Sequence, residues 1–251
     1  MGGDMRIRAT GALAAVVVTM VFAFPACGVT GQAGGSTNAM EETTTERPTT
    51  TEAEVDAEDA AARAKAALLS MEDLPAGFER TPDEPGEDEG GSDLEASCTP
   101  EFDNPGETVA RASSAAFTSG NLDANDGTYF TADSAVFSSE EIATAVVDRF
   151  GDDAFAACVT GSIKAPFAPA RATGDLEAVG DVDVGDQAAG LRGALTISYP
   201  DGGMELALDI QIIAIRTHDL VTVLSAVAAG PTLDADLVGD LADIIVERQG
   251  G

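Results

Sequence analysis

The chain has 251 residues, a formal net charge of −31 and 44% hydrophobic residues, with no Trp and only 5% aromatics. That length accommodates one domain with appendages, and its core must be built from small and aliphatic side chains. The acidic balance excludes nucleic acid as a partner, because phosphate binding needs Lys and Arg in numbers this chain lacks, and it disfavours docking of a folded domain onto anionic headgroups.

Met1 to Cys27 sets the compartment. Arg6 and Arg8 form a basic start, Ala9 to Phe24 runs apolar without a charge, and Phe24-Pro25-Ala26-Cys27-Gly28 places small residues around a cysteine. This order makes residues 1–26 a signal peptide rather than a spanning helix. The cysteine at the cleavage point resembles that of a bacterial lipobox, in which Cys27 would be acylated; Phe24 and Pro25 depart from that pattern. An ordinary secretory signal with an incidental cysteine is the alternative. Acyl chains add about 0.8 kcal/mol per buried CH₂. Lipidation of Cys27 therefore makes the membrane the first partner, and the protein is expected to be exported and anchored to the outer face of the cytoplasmic membrane. Residues 27–55 continue as a tether, Thr-, Pro- and Glu-rich from Glu41 to Glu52. It holds too little apolar surface to offset backbone entropy and is expected to be disordered, with Thr-Pro runs that suit O-glycosylation.

A single α+β domain is expected over 56–250. Ala60, Ala61, Ala64, Ala67, Leu68 and Met71 recur at helical spacing across Ala57 to Met71, with acidic residues at the helix start where its dipole favours them. Thr81 to Ser97 reads as an acidic Gly/Pro loop, solvated rather than cation-binding. Arg111 to Phe117 and Thr128 to Phe137 read as strands around a turn at Asn121 to Gly127. Ser138-Ser139-Glu140-Glu141 has the form of a capping box and opens a helix with the stripe Ile142, Val146 and Phe150. Asp152 then caps a second helical piece running through Phe155, Cys158 and Val159 to Ile163, and Gly174 to Val179 makes a further short strand.

The strongest signal is a three-strand meander. Leu191, Leu195 and Ile197 alternate with polar or small residues, Pro200-Asp201-Gly202-Gly203 supplies turn chemistry, and Met204, Leu206, Leu208, Ile210 and Ile212 alternate in the return run. Period-two alternation of this kind marks a half-buried antiparallel strand. Past Gln211 the second face turns apolar as well, at Ile213 and Ile215. That end is either covered by a helix or forms the wall of a binding cleft. Leu220 to Val227 is the third strand, and Gly230-Pro231-Thr232 leads to a last helix with Leu237, Leu241, Ile244 and Ile245 on its face. The fold class is therefore a twisted antiparallel sheet, with a C-terminal meander, flanked by helices.

Chemistry-bearing patterns are few. Cys98 and Cys158 are the cysteines left beyond Cys27; in an exported chain they form one disulfide, worth roughly 4 kcal/mol in the chain-entropy description, with two buried free thiols as the alternative. His218 is the only histidine, and no nucleophile motif pairs with it. Asp181-Val182-Asp183-Val184-Gly185-Asp186 and Asp123 to Gly127 suggest calcium loops, but the first puts Gly at the fifth place and Arg192 at the twelfth, and the second puts Ser134 at the twelfth. Both read as turns. Phosphate-binding and dinucleotide-binding glycine motifs are absent from the sequence. The chain is accordingly expected to be non-catalytic, with no catalytic or metal-binding residues and no cofactor, and to act as a monomer.

The order of elements, with Asp153-Ala154-Phe155-Ala156-Ala157-Cys158-Val159 on the second helix and Gly185-Asp186-Gln187-Ala188-Ala189 before the meander, resembles exported domains of actinobacterial cell-envelope lipoproteins. More distantly it is similar to extracellular sensor domains of the PknH type. The resemblance implies a helix-flanked antiparallel sheet with a cleft, of the Mog1/PsbP-like kind, in a ligand-sensing or envelope-protein-interaction role. A PknH-type domain is expected to carry two disulfides, whereas Cys98 and Cys158 allow one. Transport of lipid or another hydrophobic molecule in an apolar cleft is the alternative function, and a hydrolase of unknown substrate a second alternative.

Overall fold

The computed structural model describes residues 56–81, 98, 107–167, 170–199 and 205–250. The signal peptide, Cys27, the tether and most of the acidic loop lie outside the described residues. In chain order the elements are helix α1 (Ala57–Ala66), strands β1 (Glu79–Arg80), β2 (Thr108–Ser113), β3 (Phe117–Asn121) and β4 (Asp126–Phe137), and helices α2 (Glu140–Phe150) and α3 (Asp153–Lys164). Strands β5 (Arg171–Thr173), β6 (Leu176–Val179), β7 (Gln187–Ser198), β8 (Glu205–Thr217) and β9 (Leu220–Ala229) follow, and helix α4 (Ala235–Gln249) ends the series.

All nine described strands join one antiparallel sheet in the order β1-β3-β4-β9-β8-β7-β5, with β2 beside β4 and β6 beside β7. This is the expected α+β class. The long central strands are β4, β9, β8 and β7, and each outer one is flanked by two short strands. β9 is buried at every position, because it lies centrally and helices cover both faces. A strand so placed reads as a continuous apolar run.

One face carries α2 and α3. Val146, Val147, Phe150, Phe155 and Ile163 pack there on Leu191, Leu195, Leu208, Ile210, Val223 and Val227. α4 covers the opposite face, where Val238, Leu241 and Ile245 lie with Ile213, Ile215, Leu224 and Ala226. α1 adds Ala60 and Ala64 over Val136 and Leu220. Of the two alternatives for the doubly apolar end of β8, the structure therefore has the helix-covered one: Ile213 and Ile215 are 4% and 0% exposed beneath α4 and do not wall an open cleft. Cys98 and Cys158 are disulfide-bonded, with Cα atoms 5.6 Å apart, fixing residue 98 to α3.

Local hydrogen bonding moved several boundaries. The first helix stops at Ala66 rather than Met71, because Ser70 and Asp73 cap each other around a short 3₁₀ turn at Met71–Asp73. The expected strand at Arg111 to Phe117 is two strands. Ser114 sits in the break, its N–H donating to Ala132 O at 2.8 Å and its Oγ accepting from Ala132 N at 2.9 Å. Ser139, not Ser138, caps α2, accepting from Ile142 N at 3.3 Å, while Ser138 N–H donates to Glu107 O. α4 begins at Ala235, since Asp234 accepts from Asp236 N and Leu237 N. The residues before it are held extended by Leu233 N–H donating to Asp209 Oδ2 at 3.0 Å. Gly230 has φ +89, and a Cβ there would meet Asn125 O at 1.9 Å, so only glycine fits that crossing. Strand β5 is too short to leave a periodic signal.

Candidate functional site: the Asp133 cavity under α2

Side chains of a strand alternate between faces, so Tyr129, Thr131, Asp133, Ala135 and Phe137 of β4 point together toward the α2 side. Directly opposed residues of an antiparallel pair share a face as well. Ser113 of β2 is opposite Asp133, while Ser225 and Val223 of β9 are opposite Thr131 and Asp133. The register thus assembles a polar file of Ser113, Asp133, Thr131, Tyr129 and Ser225 on this face, with Arg111 opposite Ala135 at its outer end. The Ser114 break in the outer strand lies beside it, a common place for a ladder to be interrupted near a site.

A cavity of about 50 Å³ opens at this file. Ser113, Asp133, Phe137, Val146 of α2, Val221 and Val223 line it, with Arg111 at its side. Asp133 is half-buried and Ser113 exposed at the cavity's edge; desolvation of the Asp133 carboxyl pushes it up to about 6, and the neighbouring Ser113 hydroxyl acts in the opposite direction. Arg111 directs Nη2 to Thr108 Oγ1 at 3.1 Å, toward the far end of β2. Burial likewise raises the Tyr129 phenol well above its ordinary value; Thr131 offsets part of this and Asp133 adds to it. Tyr129 and Ser225 are 1% and 4% exposed, and among the described residues neither Tyr129 Oη nor Ser225 Oγ makes a hydrogen bond of good geometry, the Thr131 hydroxyl being the group that bears on Tyr129. Buried polar groups left in this state destabilise a fold.

The other face handles its polar groups differently. Ser134 and Thr222 hydroxyls are 2.7 Å apart, and Gln249 Nε2 donates to Thr222 Oγ1 at 2.8 Å while its Oε1 accepts from Thr217 Oγ1 at 2.8 Å. Arg248 reaches Asp73 Oδ1 at 2.6 Å and also donates to Leu68 O. Arg63 pairs with Asp219 through two nitrogens. Every one of these groups is matched.

Cys98 and Cys158 are joined, and neither faces the Asp133 cavity's lining; Ile213 and Ile215 lie on the α4 side. His218 occupies the β8–β9 turn at φ 56 with its side chain 71% exposed. Its Nδ1 is 3.2 Å from Glu140 Oε1 and 3.8 Å from Asp186 Oδ2, and its N–H donates to Asp186 Oδ2. The Asp181 to Asp186 segment is a turn tied by Val182 N–H to Ala188 O and Asp186 N–H to Arg216 O. No group of three or more His, Cys, Asp or Glu able to hold a metal occurs among the described residues, and no helix among them is long and apolar enough to cross a membrane.

Asp133 escaped the sequence reading. Thr128 to Phe137 mixes polar and apolar residues on both faces, so its alternation does not say which face is buried. The available signal was a lone carboxylate inside a strand with no turn residue near it.

No family model matches the chain, and no curated protein matches it. Among solved structures, the extracellular domain of PknH from Mycobacterium tuberculosis is distantly similar, at 11% identity and a TM-score of 0.37, over 76% of this chain and 96% of that one.

Proposed function

We propose that the chain is a non-catalytic, membrane-anchored extracytoplasmic module that binds a small ligand, or the tip of a larger one, in the Asp133 cavity. The observation that carries this reading is the Asp133 carboxylate lining a cavity of about 50 Å³ under α2, beside Ser113 and among apolar walls. Tyr129 and Ser225 add buried hydroxyls without a well-formed hydrogen bond along the same face. A complementary ligand would satisfy these groups, and any ligand that binds only the folded state stabilises it. Export and anchoring rest on Arg6, Arg8, the apolar run and Cys27. Enclosure of a whole lipid in this cavity is the weaker reading, because about 50 Å³ is far below the roughly 300–1,000 Å³ of pockets that enclose drug-sized ligands.

The test is a thermal-shift screen of the purified full chain against small cations, anions and neutral polar molecules. At least one class should raise Tm in the wild type and lose that effect in Asp133→Asn. Identical responses of the two proteins to every compound would refute the site. Anchoring is tested separately: Cys27→Ala should abolish acyl labelling and release the protein from membranes, and unchanged membrane association would contradict it.

A further inference from the structure

We infer that the Asp133 cavity takes the ammonium tip of a primary amine, an inference that rests on the reading of this cavity as the binding site. The cavity pairs one carboxylate with a hydroxyl, Ser113, inside walls made by Phe137, Val146, Val221 and Val223. An ammonium offers three donors and no acceptor, which suits a carboxylate, while an alkyl stem suits the apolar walls. The size agrees, since about 50 Å³ admits a compact headgroup and the start of a chain rather than a ring system.

Competing ligand classes fit less well. An anion would face Asp133 inside a chain of net charge −31, whose field draws cations toward its clefts. A divalent metal needs several oxygen ligands at once, and no group of three or more candidate ligands occurs among the described residues. A guanidinium presents a planar fork wider than an ammonium, which a space of about 50 Å³ accommodates less well. The charged side chain that also lines the cavity, Arg111, sends a donor to Thr108 Oγ1, away from Ser113 along β2. Asp133 consequently supplies the attraction and Ser113 the orientation. The amine could belong to a free small molecule or to a lysine or N-terminus of an envelope protein; the chemistry at the cavity is the same.

The experiment is saturation-transfer difference NMR on the purified full chain at physiological ionic strength, with n-butylammonium, n-butanol and butyrate as probes. Butylammonium should bind saturably to the wild type and at least tenfold more weakly to Asp133→Asn, with Ser113→Ala intermediate and the circular dichroism of both variants unchanged. Butanol and butyrate should bind at least tenfold more weakly than butylammonium. If butyrate or butanol binds as well and in an Asp133-dependent way, the ammonium inference falls while the binding-site reading stands. If butylammonium binding survives in Asp133→Asn, it reflects the acidic surface and the inference falls. If no probe distinguishes wild type from Asp133→Asn, both fall. Should Asp133→Asn fail to fold, competition of butylammonium by n-butyltrimethylammonium decides instead: the bulkier head should not compete, and equal competition would overturn the proposal.

Discussion

The two faces of the sheet carry similar polar side chains and treat them in opposite ways. On the α1 and α4 face, Ser134, Thr222, Thr217 and Gln249 form a closed hydrogen-bonded set, and Arg248 neutralises Asp73. On the α2 and α3 face, Tyr129 and Ser225 are buried without a well-formed hydrogen bond among the described residues, and Asp133 lies beside Ser113 at the edge of a cavity. A satisfied buried network rigidifies a core, whereas an unsatisfied one lowers stability. The first face is a closed polar network, and the second holds the polar groups on which the proposed binding site rests.

Mutations that delete polar groups should have opposite signs on the two faces. The largest effect is expected for Arg248→Ala, which removes the cation from an Asp73 side chain that is 9% exposed and leaves it only the two donors of Ser70; a loss of about 3 kcal/mol is expected by chemical denaturation. Asp133→Asn should do the reverse and stabilise the domain by about 2 kcal/mol at pH 7. The sign follows from the direction of the shift. The folded-state carboxyl titrates near 6 and the unfolded one near 3.8, so the folded protein binds more protons between those values. Wild-type stability relative to Asp133→Asn should then fall as pH rises from about 4 to about 6 and stay flat above. Taking the difference between the two proteins cancels the other carboxylates, and a flat difference would remove the argument for the cavity.

Gln249→Ala opens the network on the scaffold face and should cost about 1–2 kcal/mol, measured by urea unfolding. Ser225→Ala is the smallest change and its mirror image. It removes a hydroxyl with no partner, so it should leave stability unchanged or raise it by up to about 1 kcal/mol. If Ser225→Ala and Gln249→Ala destabilise equally, the contrast between the faces is wrong.

Much of the scaffold was legible in the residues. Leu206, Leu208, Ile210 and Ile212 alternate so regularly that one face of β8 is fixed by period alone, whereas the apolar second face at Ile213 and Ile215 left a covering helix and a cleft wall both open to the pattern. Ile142, Val146 and Phe150 placed α2 in the same way. What escaped was set by single hydrogen bonds rather than by pattern. Ser114 breaks a strand by taking the place of a ladder partner, and Ser139 wins the cap from Ser138 because Ser138 is drawn to Glu107 O. Asp133 was hidden for a related reason. Its place in the cavity depends on β2 and β9 pairing on either side of β4 and on α2 crossing above, contacts between segments that lie up to ninety positions apart in the chain.

The central claim concerns the state of one carboxylate, and the ¹³C carboxyl resonance of Asp133, identified by its loss in Asp133→Asn and followed from pH 3 to 8, reads that state directly. A midpoint near 6 that falls when n-butylammonium is added is the result expected of a desolvated carboxylate that a cation can satisfy. A midpoint in the ordinary carboxylate range, indifferent to the amine, would contradict it.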